Sequence, residues 1–191
     1  MILTRKHYGL FTVGFVLFAV YASLVPLKFK PIPWGEGVAR YLEMMAAPIH
    51  MKWSADWISN ILLFMPLGYG AMAALHTDRD SRWWGLFLVL PFAIFLSAGI
   101  EFAQIWFPPR HTNPNDVAAE GVGALLGSLT WIALGPGLTE AGREFWADHA
   151  SRNWAIRLLP MYLLVLVILH AAPFDISISP SELMKKYREG H

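Results

Sequence analysis

Apolar and polar residues alternate along this chain in long blocks, with no short-period strand pattern. A helix needs about 20 apolar residues to cross the hydrocarbon core of a bilayer. Five blocks qualify: roughly Tyr8–Leu27, Trp57–Leu75, Trp83–Phe107, Val117–Leu134 and Trp154–Ala172. The first carries no charge, the third is broken by Glu101 and Gln104, and the fourth by Glu120. Tryptophans mark block borders, as expected of interfacial belts: Trp53 and Trp57, Trp83 and Trp84, Trp106, Trp131 and Trp154. Arg5, Lys6 and His7 precede the first block, as in a signal peptide. That block is longer than a signal peptide's apolar core and no small-x-small site closes it, so it is expected to stay as a helix.

The connections differ in kind. Thr77–Arg82 is short and polar, which pairs the second and third spans as antiparallel neighbours. Pro108–Asp116 is short and rich in Pro and Asn. Lys28–Asp56 is long, and its VARYLEMMAAPIHMKW reads as an amphipathic segment on the membrane surface. Gly135–Asn153 contains LTEAGREFWADHA, a second interfacial helix anchored by Leu138, Phe145 and Trp146. From Pro173 a polar tail runs to the end. The expectation is an all-α, polytopic membrane helix bundle: about five transmembrane helices, one or two interfacial helices, and a single domain over 1–191 whose tail is 173–191. With 55% hydrophobic and only 15% charged residues, the composition is too apolar for an ordinary soluble domain of this size. A net charge of +1 offers no field for nucleic acid, and the absence of cysteine excludes thiol catalysis, disulfides and thiolate metal sites.

Alternate crossings send the connections to opposite faces. Call face X the side of Lys28–Asp56, Pro108–Asn115 and the C-terminal tail. Asp56 and Asn60 fall at the face-X end of the second span, Glu101 and Gln104 at that of the third, and Asp116 and Glu120 at that of the fourth. Spacings of three or four residues put each pair on one helix side. Arg110 and His111 lie in the face-X loop, and His50 and His170 fall near it. An acid at the centre of a membrane helix costs about 2.5–3.5 kcal/mol. Glu101 and Glu120 should therefore be neutral, paired or lining a wet cavity. Arg110 is the nearest cation in sequence and could fork two carboxylates in a buried ion pair. Simpler roles also fit: Asn115 or Asp116 could cap the fourth span after Pro114, and Asn60 could bond to a neighbouring helix. Ala119, Gly123 and Gly127, at four-residue steps, allow close approach of another helix. Pro66 and Pro91 are expected to kink their spans.

These same residues carry a resemblance. Asp56, Asn60, Phe64, Pro66 and Gly68 match the spacing D-x-x-x-N-x-x-x-F-x-P-x-G. Glu101, Gln104, Arg110, Asp116, Val117, Gly123, Ala124 and Gly127 follow as a second signature. Together with SLVPLKF after the first block and APFDIS after the fifth, this resembles the VanZ-like membrane proteins. Glu120 departs from the pattern, which has Asn there. The resemblance implies a multi-helix protein of the bacterial cell envelope, in the cytoplasmic (inner) membrane, whose founding member is associated with resistance to the glycopeptide teicoplanin. Lys and Arg divide almost evenly between the two faces and set no orientation; the tie to cell-wall antibiotics puts face X on the extracytoplasmic side.

The leading expectation is a polar pocket between the second, third and fourth spans that binds or processes an amphiphilic envelope molecule, such as a lipid-linked glycan or polyprenyl phosphate. Arg110 would hold an anionic head group. Glu101 and Glu120 are the candidates for proton transfer, and Asp56, Asn60, Gln104 and Asp116 would orient the ligand. Membrane lipids are the other expected partner, and no resident cofactor or metal is expected. The rival enzyme reading is a hydrolase or transferase with Mg²⁺ or Ca²⁺ on Asp56, Glu101, Asp116 and Glu120, although no HExxH, GxSxG, P-loop or EF-hand string is present. Two other rivals are a small transporter with the acids as a relay, and a non-catalytic scaffold with the cluster as an ion-pair latch.

Overall fold

The computed structural model describes residues 3–49, 54–79, 83–148 and Tyr162. Its elements are α1 (Arg5–Leu24), α2 (Trp34–Met45), α3 (Ala55–His76), α4 (Leu86–Gln104) and α5 (Pro114–Asp148), with no strand among the described residues. α1, α3, α4 and α5 are each long and apolar enough to cross a membrane. The all-helical membrane bundle is thus observed. The fifth apolar block, Trp154–Ala172, lies outside the described residues, as do His50, His170 and the polar tail. All five helices belong to one compact unit, Met1–Arg152.

α3 is the central helix. It packs against α1, α4 and, most extensively, α5. Small residues make that last contact possible. A side-chain carbon added to Gly123 would strike the Ile61 carbonyl, and one added to Gly127 would strike the Met65 carbonyl. In return, one added to Gly68 would strike the carbonyl of Ala124. The pairing of 61 with 123 and 65 with 127 shows that α3 and α5 run parallel, backbone against backbone. Two helices this close hold their side chains at fixed relative heights. Phe64, Leu67, Ala93, Ile100 and Ala124 fill the core beside the seam. α1 and α4 lie outside it, and Leu10, Val13 and Leu17 of α1 and Phe87 and Phe95 of α4 are exposed, as suits contact with lipid tails.

Two boundaries differ from expectation. The surface segment forms α2, starting at Trp34 and ending at Met45. More substantially, no loop separates a fourth span from a second interfacial helix. α5 continues through Gly135, Pro136 and Gly137 to Asp148. At about 1.5 Å per residue its 35 residues exceed the membrane core, so its last turns project beyond it. Gly and Pro disfavour helix locally, but tertiary bonds fix this extension. Thr139 donates to the Gly135 carbonyl (2.7 Å) and meets the Tyr8 hydroxyl (2.8 Å). Further on, Arg143 grips Asp78 with two bonds of 2.8 and 2.9 Å. Pro66 and Pro91 lie inside helices that continue past them.

Candidate functional site

The ends of three helices meet at face X. α3 begins there with Ser54 as its cap, whose hydroxyl accepts the Trp57 amide at 3.2 Å, and with Asp56 in its first turn. α5 begins at Pro114, and the residue before it is the cap. The Asn113 side chain accepts the backbone amide of Asn115 (3.1 Å) and its side-chain amide (2.9 Å). This corrects the assignment of the cap to Asn115 or Asp116. Proline at the first helical position lacks only a donor that would have had no partner there. Asp116 instead sits in the first turn, where the helix dipole favours an anion.

The parallel seam then sets heights. The Asn60 side chain of α3 lies beside the Asp116 carboxylate of α5, and Asp56 stands within electrostatic range of the same carboxylate. α4 supplies Glu101, which is 1% exposed. Its carboxylate accepts the Asn113 backbone amide at 2.7 Å, and its carbonyl accepts the Thr112 hydroxyl at 2.8 Å. Asp116 and Glu120 are both within electrostatic range of Glu101. Glu120, 3% exposed, faces the Ser97 hydroxyl of α4, which is wholly buried. Neither Glu120 Oε2 nor Ser97 Oγ closes a hydrogen bond of good geometry. Asp56, Glu101, Asp116 and Glu120 therefore form one group, with Glu101 held by the Asn113 amide and within electrostatic range of Arg110, and with Asp56 exposed at its edge.

The two remaining sequence candidates stand beside this group and tie it to α1. Gln104 is buried and donates to the Ser23 carbonyl at 3.2 Å. Arg110 donates through Nε to the Val25 carbonyl (2.7 Å) and through Nη2 to the Ala22 carbonyl (3.0 Å). The anticipated buried ion pair of Arg110 with Glu101 and Glu120 is not formed. The guanidinium has a better-matched target, since the last carbonyls of α1 are unpaired acceptors at the negative end of the helix dipole. Arg110 and the neighbouring His111 are exposed. Among the described residues the ion pairs are Arg40–Glu36 and Arg143–Asp78, both away from this cluster.

Sequence reading missed four contributors. Asn113 and Thr112 hold Glu101; the Asn-Pro dipeptide before an apolar run was the available signal for the cap. Ser97 lies four residues before Glu101 and so shares its helix side. Tyr41 of α2 donates to the Ala98 carbonyl at 3.2 Å, and nothing in its local sequence announces that contact. Burial, and secondly the charge of Glu101, push the Tyr41 phenol above its usual range. Beside it, Trp34 and Trp106 stack and Phe102 meets both edge-on, with ring centroids 5.0–5.6 Å apart. They form an aromatic shelf where α2 meets the end of α4. Among the described residues no group of three or more His, Asp or Glu is placed to hold a metal ion.

The VanZ/LLP1 family model matches residues 7–135, and the chain belongs to that family. Neither the curated proteins nor the solved structures contain a match.

Proposed function

We propose that this member of the VanZ/LLP1 family binds an amphiphilic envelope molecule, a lipid-linked glycan or polyprenyl phosphate, in the polar site between α3, α4 and α5. The observation that carries the reading is Glu120. It is an almost wholly buried acid whose Oε2 closes no hydrogen bond of good geometry, facing the buried Ser97 hydroxyl, which closes none either. Such groups cost about 1–3 kcal/mol each when left unsatisfied, and a polar ligand would offset that. Glu101, Asp116 and Glu120 present acceptors to the hydroxyls of a glycan head group, and Glu101 and Glu120 are the groups available to move a proton. Asp56 and Asn60 line the α3 side. Gln104 and Arg110 brace the rim against α1; Arg110 Nη1 takes no part in its two carbonyl bonds and is the donor for a phosphate. The aromatic shelf suits the start of an apolar tail. Face X is read as the extracytoplasmic side of the bacterial cytoplasmic membrane.

A latch reading would need the acids to be closed by Arg110, which instead caps α1. The binding reading is tested by reconstituting the full chain in nanodiscs and measuring retention of a polyprenyl phosphate and of a lipid-linked disaccharide by native mass spectrometry. Glu101→Gln and Glu120→Gln keep size and shape, so folded protein should be recovered in normal amounts while ligand retention falls about tenfold or more. Undiminished retention in both variants would overturn the assignment. The glycopeptide link is a separate arm: expressing the native chain, and not Glu101→Gln, is expected to raise teicoplanin tolerance in a susceptible host.

A further inference from the structure

A second polar site lies at the other end of the bundle, independent of the one above. There a cavity of about 200 Å³ opens between the C-terminal end of α3 and the extension of α5. It is smaller than the roughly 300–1,000 Å³ of drug-sized ligand sites, so it suits a head group and not a whole amphiphile. Trp83 and Trp84, both exposed, begin the next span at the same end and mark head-group depth.

The lining has a definite charge pattern. Arg143 is neutralised by Asp78 through its paired bonds. Among the described residues this leaves Arg79 as the lining's other cation and Glu140 as its other anion. The aromatic wall is Trp131, almost wholly buried, with the His76 ring 5.8 Å from it between centroids. His76 and Thr77 end α3 beside the cavity, and the α3 dipole there is already met by Arg5, which donates to the Ala74 carbonyl at 3.0 Å. Glu140, which is exposed, favours an ammonium group. Arg79 favours a phosphate. A purely anionic ligand would meet Glu140, and a purely cationic one would meet Arg79.

We infer that this cavity binds a zwitterionic amino-phosphate head group, with its ammonium against Glu140 and its phosphate on Arg79. The chemistry is the same whether the ligand is phosphatidylethanolamine from the bilayer or free phosphoethanolamine. Both variants needed to test it change exposed side chains, so folding should survive. The full chain is placed in nanodiscs of mixed phosphatidylethanolamine and phosphatidylglycerol, then released gently and its retained lipids weighed by native mass spectrometry. The native protein should retain phosphatidylethanolamine in preference, by about tenfold. Glu140→Gln should erase the preference, and Arg79→Gln should weaken retention of both lipids. In a parallel arm, detergent-solubilised protein is titrated with phosphoethanolamine and, as control, inorganic phosphate. Saturable binding of the amine alone, lost in Glu140→Gln, would identify the soluble form as sufficient. Retention of phosphatidylglycerol equal to that of phosphatidylethanolamine, or a preference unmoved by Glu140→Gln, would overturn the proposal.

Discussion

The two ends of the α3–α5 pair handle charge in opposite ways. At the Arg143 end, opposite charges from α5 and the α3–α4 turn meet directly, and Arg143 also holds the Leu3 carbonyl at 3.0 Å. Asp78, the acid of that pair, is exposed. At face X, four acids gather, two of them buried and one of those held by a backbone amide, and the nearest arginine donates to a helix end. A charge that has found its opposite is a brace. Like charges concentrated in a low-dielectric place, with an oxygen left over, are costly for the fold. By that difference the Arg143–Asp78 pair braces the fold, whereas the face-X acids are left for the ligand proposed above.

Both ends depend on the seam, so the largest expected effect comes from forcing it apart. Gly127→Leu would drive a side chain into the Met65 carbonyl. Backbone cannot yield as a side-chain tip can, and the cost should reach the upper end of overpacking penalties, about 3 kcal/mol or more. Heating in detergent followed by size-exclusion chromatography should show loss of the monodisperse protein at markedly lower temperature. Gly137→Ala, at an exposed position with open space around it, is the matched control and should leave the profile unchanged. A Gly127→Leu protein as stable as the native one would mean that α3 and α5 are not in backbone contact.

A smaller effect separates the face-X scaffold from its acids. Asn113→Ala removes the cap of α5, at about 1 kcal/mol, but keeps the backbone amide that holds Glu101. Its thermal transition should fall while ligand retention, measured on protein that remains folded, changes little. Asn113→Ser should largely restore stability, because it caps about as well and adds no charge beside Glu101. Glu101→Gln and Glu120→Gln are expected to show the reverse profile. If Asn113→Ala instead abolished retention with its stability intact, the cap would belong to the binding surface.

How much of the molecule is legible in its sequence depends on what residue spacing encodes. Asp56 with Asn60, and Asp116 with Glu120, share helix sides by a four-residue step, and apolar block lengths fix which ends face the same way. The gathering of acids therefore follows from helix count and period alone. The Gly123–Gly127 stripe likewise announces a close helix partner. Three things could not be read. The fate of Arg110 depends on the competing claim of the α1 carbonyls at Ala22 and Val25, more than 80 residues away. The helix through Gly135–Pro136–Gly137 is held by Tyr8 and Asp78, which no local propensity contains. The contact of Tyr41 with α4 arises because α2 folds back over the bundle. Each is a tertiary bond overriding or supplementing a local preference.

The smallest effect concerns the ion pair at the opposite end. Arg143→Gln should lower stability by about 1 kcal/mol or less, since Asp78 is open to solvent. The pair can be separated from mere packing by pH. The hydrogen bond from Arg143 holds the Asp78 carboxyl below its usual range, so the folded state favours the ionised form more than the unfolded chain does. The resulting stabilisation is fully present above the ordinary aspartate value of about 3.9. It is lost as pH falls below that value and through the depressed folded one. Thermal curves of native protein and Arg143→Gln should accordingly differ near neutrality and converge in acid. Asp78→Asn should differ from native by a similar amount near neutrality, and the double variant by no more than either alone. Additive losses, or a gap between native and Arg143→Gln that persists unchanged in acid, would mean that Arg143 acts through its bond to Leu3 and its packing, and that the brace at this end is not electrostatic.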